Sequence, residues 1–212
     1  MIDTIIIDRG HATLSPDGKY VTPGKQFIFP DKLHVYEGKE NQKYAECLAK
    51  KAEHLGFKIQ YTVNPSDPSD PSLITRVLKA NDSKYRKTSL YISLHNNAGG
   101  GEGTEVFTSV GQTLSDKFAQ GVISEIKKTL PNRKIRADIK DGDDDKEEQF
   151  YVLRKTNMPA MLIEFGFFDN KNDYVYLSNP EIIDKMCEAV INGVVNTLIA
   201  LYGKEAWETR NY

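Results

Sequence analysis

The chain has 212 residues and a net charge of −2, a length that fits one domain of ordinary to large size. Hydrophobic residues make up 39%, enough for a real core, and charged residues 27%, the usual share for a globular surface. The near balance of charge removes the electrostatic case for nucleic acid, which asks for a basic face, and for clinging to an anionic envelope by charge alone.

Thr4 to Asp8 (TIIID) is a β-branched run that predicts a short buried strand, ending at Gly10-His11. The opening MIDTIIIDRGH has no basic n-region and too short an apolar stretch for a signal peptide. No segment approaches the roughly 18 consecutive apolar residues of a membrane span. The expectation is synthesis in the cytoplasm, so that a substrate outside the membrane requires a separate release step. Residues 12–36 carry Pro16, Gly18, Pro23, Gly24 and Pro30 and predict a long loop, of the kind that is usually functional.

Glu40 to Leu55 places Tyr44, Cys47, Leu48, Ala52 and Leu55 at helical spacing, with Gly56 as the stop. Phe57 to Val63 alternates as a strand, and the prolines of Asn64 to Pro71 (NPSDPSDP) forbid regular structure. A helix over Ser72 to Asn81, a strand over Ser89 to His95 and a glycine loop at Gly99 to Gly101 follow. Thr104 to Thr108 predicts a strand and Leu114 to Leu130 an amphipathic helix. Asp138 to Glu148 (DIKDGDDDKEE) reads as a solvated acidic loop. A cation site is the sharper reading, but the spacing and final Glu of an EF-hand loop are missing. Met161 to Phe165 predicts a buried strand, Asp169 to Leu177 and Pro180 to Tyr202 helices, and Gly203 to Tyr212 a frayed tail that Trp207 could anchor. Cys47 and Cys187 both fall in helical stretches without a His or Cys at ligand spacing, and read as free thiols. Strands alternating with helices imply an α/β sheet covered on both faces, a three-layer α/β/α arrangement. Without internal repeats, residues 1–203 read as one domain and 204–212 as a tail.

Three metal-competent side chains fall at strand ends: His11 after the first strand, His95 closing SLYISLH, and Glu164 closing MLI. Ligands of open α/β sheets collect at the carboxyl ends of strands. Glu37, at the threshold of the first helix, joins them. Two His and one carboxylate with an open position is a catalytic zinc arrangement, and a further carboxylate off the metal can shuttle a proton. Each residue also has a plainer reading. A strand-end His is often structural, and a Glu at a helix start suits the helix dipole. Glu164 is harder to explain that way, because it lies between MLI and FGFF, where an unpaired charge is costly. His54 fits the C-terminal end of its helix, and His34, three residues before Glu37, reads as a substrate contact.

The ordered segments IIIDRGH, YEGKENQ, YISLHNNA, GTEVFTS and YVLRKTNMPAMLIEFGFFDNKND resemble the motifs of the zinc-dependent N-acetylmuramoyl-L-alanine amidases of the Amidase_3 type, from Thr4 to about Leu201. The resemblance implies a twisted, mostly parallel mixed sheet of about six strands. It also implies one zinc ion, a peptidoglycan substrate cut between N-acetylmuramic acid and L-alanine, and a monomer without nucleic-acid partner or integral membrane segment. It makes His11 and His95 zinc ligands and Glu164 the catalytic acid/base. The remaining ligand is Glu37 or Glu40, and the spacing to Asn41 favours Glu37. Asn97 orders the loop behind the second His, and Arg154 falls at a position often basic or polar near the cleft. The family often has Pro where Arg9 stands and Gly where Ala12 stands, and the acidic stretch 141–149 is longer than its usual connection. The absence of a leader and of wall-binding repeats resembles a phage endolysin more than a secreted autolysin. The rival readings are a zinc carboxypeptidase on a related sheet and a non-catalytic wall-binding module.

Overall fold

A computed structural model describes residues 1–82, 87–139 and 142–209. Lys140 and Asp141, inside the acidic run, and the last three residues of the tail lie outside the described residues. In chain order the elements are β1 (Thr4–Arg9), β2 (Gln26–Ile28), β3 (His34–Tyr36), α1 (Glu37–His54), β4 (Lys58–Tyr61), α2 (Leu73–Ala80), β5 (Ser89–Asn97) and β6 (Glu105–Thr108). There follow α3 (Leu114–Thr129), β7 (Lys146–Glu147), α4 (Tyr151–Lys155), β8 (Ala160–Phe167), α5 (Lys171–Leu177), α6 (Pro180–Tyr202) and α7 (Lys204–Glu208).

Six strands form one sheet in the order β4-β1-β5-β8-β6-β7, while β2 and β3 make a separate hairpin. The first four run parallel, and β6 is antiparallel to β8. The sheet is mixed and mostly parallel, as the motif resemblance implies. Parallel neighbours are buried on both faces, which is why TIIID and SLYISL read as continuous apolar runs rather than alternating ones. On one face Ile5, Ile7, Leu90, Ile92 and Leu94 pack under α1, α3 and α6. On the other, Ile6, Tyr91 and Leu162 pack under Val77 of α2 and Val152 and Leu153 of α4. The thicker side depends on a close crossing of α3 over α6. A Cβ on Gly193 would lie 2.5 Å from the Val122 Cα, and one on Gly121 2.7 Å from the Gly193 carbonyl oxygen.

The register brings the end of β1 level with His95 of β5 and Glu164 of β8. Arg9, the last residue of β1, pairs with Leu94, and His95 with Glu164. Strands β5 and β8 run on to Asn97 and Phe167, so His95 and Glu164 lie inside their strands and do not close them as the sequence suggests, because pairing continues beyond a bulge. Between His95–Glu164 and Asn97–Phe167 the β8 strand carries one extra residue, a bulge of the kind that re-aims side chains beside active sites. Beneath this edge lies Asp8, 1% exposed. It accepts from Thr62 Oγ1, from Ser93 Oγ at 2.7 Å and from Arg76 Nη1 at 2.8 Å. Burial opposes its charge, but the Arg76 guanidinium and the two hydroxyls outweigh burial and hold its pKa below the ordinary value. A depressed folded-state pKa gives stability that is present above the unfolded value, near pH 4, and is lost as pH falls through the folded value. Asp8→Ala leaves a buried guanidinium short of a partner and is expected to cost about 3–5 kcal/mol. Denaturant melts from neutral to acid pH check both points, with the variant losing part of the acid dependence.

Several elements depart from the sequence reading. The long loop 12–36 contains the β2–β3 hairpin, whose three-residue strands are too short to show a period. The first helix starts at Glu37 rather than Glu40, one turn earlier. The acidic run is not simply solvated. Asp145 is buried and accepts from Thr108 Oγ1 at 2.6 Å and Gln120 Nε2 at 2.8 Å. Burial and the neighbouring Asp143 and Asp116 raise its pKa to about 6. Asp116, Asp143 and Asp145 each bring an oxygen within 4.8 Å of the others. Among the described residues no helix is long and apolar enough to cross a membrane.

Candidate active site

His11 follows β1 with φ +61, a left-handed conformation uncommon for a residue with a side chain. That turn aims its imidazole at Glu37, the first residue of α1. His11 Nε2 lies 3.3 Å from Glu37 Oε1, and His95 Nδ1, from β5, lies 3.2 Å from the same oxygen. One ligand atom from each of the three falls within 4.8 Å of the others. The two rings meet edge to face with centroids 5.0 Å apart.

Two glycines make the convergence possible. A Cβ on Gly10 would lie 2.3 Å from the His95 ring, and one on Gly38 would sit 1.7 Å from the Ala12 carbonyl oxygen. Only Gly at 38 lets the first turn of α1 approach the β1 end closely enough for Glu37 to reach both histidines. Asn41, one turn further, donates to the Gly10 carbonyl at 2.9 Å and accepts from Asn96 Nδ2 at 2.8 Å, fixing α1 to both strand ends.

Glu164, paired with His95 in register, lines the same cleft of about 250 Å³ with Lys25, Asp70, Arg76, Phe150 and Tyr151. The two carboxylates are pushed in opposite directions. Burial opposes charge on Glu37, but bonds and charge from His11 and His95 prevail and hold it well below the usual range. Burial, with the Glu37 charge, pushes Glu164 well above it. Such a split in environment between two neighbouring carboxyls is the condition under which their acid and base roles can diverge. His11 Nε2, Glu37 Oε2 and Glu164 Oε2 are buried without a hydrogen-bond partner, although Lys25 Nζ stands 3.4 Å from Glu37 Oε2. Buried polar atoms left this way ask for a ligand. Two imidazoles and a carboxylate are a donor set that fits one zinc ion with an open position.

The other sequence candidates fall elsewhere. Glu40 is paired with Lys43 at 2.6 Å, away from the two histidines. Asn97 Nδ2 donates to Glu105 at 2.7 Å, tying β5 to β6 behind the cleft. Arg154 Nε donates to the Gln149 carbonyl at 3.1 Å, and its side chain lines a separate cavity with Ser109, Asn157 and Met158. His34 is exposed on β3 between Gln26 and Tyr36, and His54 ends α1. Lys25, Asp70, Arg76 and Tyr151 were not singled out from sequence, since their meeting depends on long-range packing. The cysteines are free. Cys187 Sγ faces the Tyr44 carbonyl at 3.6 Å, and neither thiol lines the cleft. Replacing both with Ser is expected to leave the catalytic rate near wild type and to lower Tm through the buried Cys187, checked by rate and melting with and without reductant.

An α/β sheet presenting His, Glu and His at one edge beside a further buried carboxyl is an arrangement suited to a metal-dependent hydrolase. The sequence pattern of N-acetylmuramoyl-L-alanine amidases of the Amidase_3 type matches residues 5–196, and the chain belongs to that family, whose members act on peptidoglycan. An uncharacterised cell wall amidase of Bacillus anthracis is 30% identical over 196 residues, 91% of this chain and 35% of that protein. The endolysin of Bacillus phage SPP1 is 32% identical over 127 residues, 59% of this chain and 45% of the endolysin. This chain thus spans less than half the length of these two relatives. The crystal structure of N-acetylmuramoyl-L-alanine amidase from Clostridium difficile 630 superposes with a TM-score of 0.74 at 28% identity, covering 93% of this chain and 97% of that one.

Proposed function

We propose that this chain hydrolyses the amide bond between N-acetylmuramic acid and L-alanine in peptidoglycan, with one zinc ion held by His11, Glu37 and His95. The observation that carries the reading is the convergence of His11 Nε2, His95 Nδ1 and Glu37 Oε1 at the edge where Glu164 also points. Bound there, zinc supplies a Lewis acid for the scissile carbonyl and brings the pKa of water toward ~7. Glu164 does the proton work. Its carboxylate takes a proton from the attacking water and returns it to the alanine nitrogen as the C–N bond breaks. The apolar wall of Phe150, Val152 and Leu162 keeps bulk water from that carboxyl. Likeness to a phage endolysin supports action on the cell wall after release across the membrane.

Mass spectrometry of digested peptidoglycan tests the reading. The expected products are glycan strands with a free lactyl carboxyl and peptides with a free L-alanine amine. Release of free C-terminal amino acids with the sugar–alanine bond intact would overturn it in favour of a carboxypeptidase, and an undigested wall in favour of a binding module.

A further inference from the structure

The imidazole of His11 has a second nitrogen, and the structure provides for it. Nδ1 lies 3.8 Å from Asp70 Oδ2, on the side of the ring away from Glu37. Asp70 comes from the proline-rich loop 64–71, and both its oxygens are held. Arg76 Nη2 donates to Oδ1 at 2.7 Å, and Thr22 Oγ1 donates to Oδ2 at 2.7 Å. Thr22 also accepts from the Ala12 amide at 3.0 Å, which links the Asp70 carboxylate to the turn that carries His11. Arg9, fully buried, donates from Nη1 to the His11 carbonyl and from Nη2 to the Asp67 carbonyl at 2.8 Å. The loop and the His11 turn are therefore fastened at two points, one through backbone carbonyls and one through a carboxylate aimed at the ring.

We infer that Asp70 is a positioning residue that keeps the His11 proton on Nδ1 and leaves the Nε2 lone pair free for the metal. The inference rests on the reading that His11, Glu37 and His95 hold zinc. At 3.8 Å the two atoms stand just beyond hydrogen-bond distance, a gap that a small rotation of the ring closes. A ligating His usually donates its other N–H to a carboxylate, which fixes tautomer and orientation. Arg76 and Thr22 prevent Asp70 from turning away, so orientation of the ring is built into the protein before the ion arrives.

Asp70→Asn separates this role from a structural one. With Arg76 claiming the amide oxygen, the amide NH₂ faces His11 and favours the tautomer protonated on Nε2, which cannot ligate. Zinc affinity, measured by competition with a chelator, is expected to fall about 10- to 100-fold. Nitrogen NMR of the zinc-free protein is expected to show the His11 proton shifted from Nδ1 to Nε2, with circular dichroism unchanged. Thr22→Val, which removes one of the two bonds holding Asp70, is expected to give a smaller loss of affinity in a folded protein and covers the case in which Asp70→Asn fails to fold. His95→Ala is the control. If it keeps zinc, the reading of the metal site fails and this inference with it. If it loses zinc while Thr22→Val and every folded Asp70→Asn sample bind at wild-type affinity with the proton still on Nδ1, the positioning role alone is overturned.

Discussion

Glu164→Gln is expected to retain its zinc and its fold while kcat falls by ~100- to 10,000-fold, the usual contribution of a positioned general acid/base. The amide is nearly isosteric with the carboxyl that Glu164 presents to the cleft. The size and polarity of the side chain stay nearly the same, at a place where burial and the Glu37 carboxylate disfavour added negative charge. What disappears is the capacity to take a proton from water and give one to nitrogen. Binding of wall fragments should survive, since the lining of the cleft is unchanged. The measurement is zinc content beside wall-degrading rate. Loss of zinc would make Glu164 a ligand, and near-normal activity would move the proton work to another residue.

His95→Ala and Glu37→Gln are expected to act on the metal instead. Removing the His95 ring leaves two of the three donors that converge on one point, and most bound zinc should be lost on mild dialysis. Glu37→Gln keeps the shape and removes the only anionic donor of the three. Zinc should be weakened and activity lost in proportion, with partial return at high zinc concentration. Recovery by added zinc is what separates these variants from Glu164→Gln, whose rate extra metal should not restore. Full metal content in His95→Ala would refute the ligand assignment.

The histidines and Glu164 stood out in sequence because a β-branched or apolar run followed by a polar residue leaves a local mark, although β5 and β8 continue past His95 and Glu164. Glu37 stood at the threshold of the first helix, and only motif spacing separated it from Glu40. Helical periodicity pointed to a start at Glu40, ahead of which stands Gly38. In the fold that glycine is helical, and its missing side chain is what admits the Ala12 carbonyl. Arg9 stood out only as a departure from the family, although it is buried and joins the His11 turn to the Asp67 loop. Such a role depends on residues far apart in sequence, as do those of Asp70 and Arg76, 59 and 65 positions after His11. Helix α4 was missed because five residues give no period, yet its start brings Tyr151 and Val152 to the cleft wall. The inward turn of the acidic run was hidden for a related reason. Its charge pattern suggests water, whereas Thr108 and Gln120, distant in sequence, satisfy Asp145 inside.

The two outer strands of the six-stranded sheet have a consequence for how molecules of this protein meet one another. An open sheet ends in rows of unpaired amides and carbonyls that can template a neighbour's strand. Here one margin is β7, two residues long with the sequence Lys-Glu. The other is β4, four residues long and opening on an exposed lysine. On that margin Gln60 turns its side-chain amide to the Lys79 carbonyl at 2.8 Å, tying the strand to the end of α2. Neither margin offers the long, flat, apolar stretch that fibrous assembly needs. The apolar strands β1, β5 and β8 lie inside the sheet with partners on both sides. Crowding of many copies therefore brings charged, short margins into contact, and these resist strand-to-strand growth.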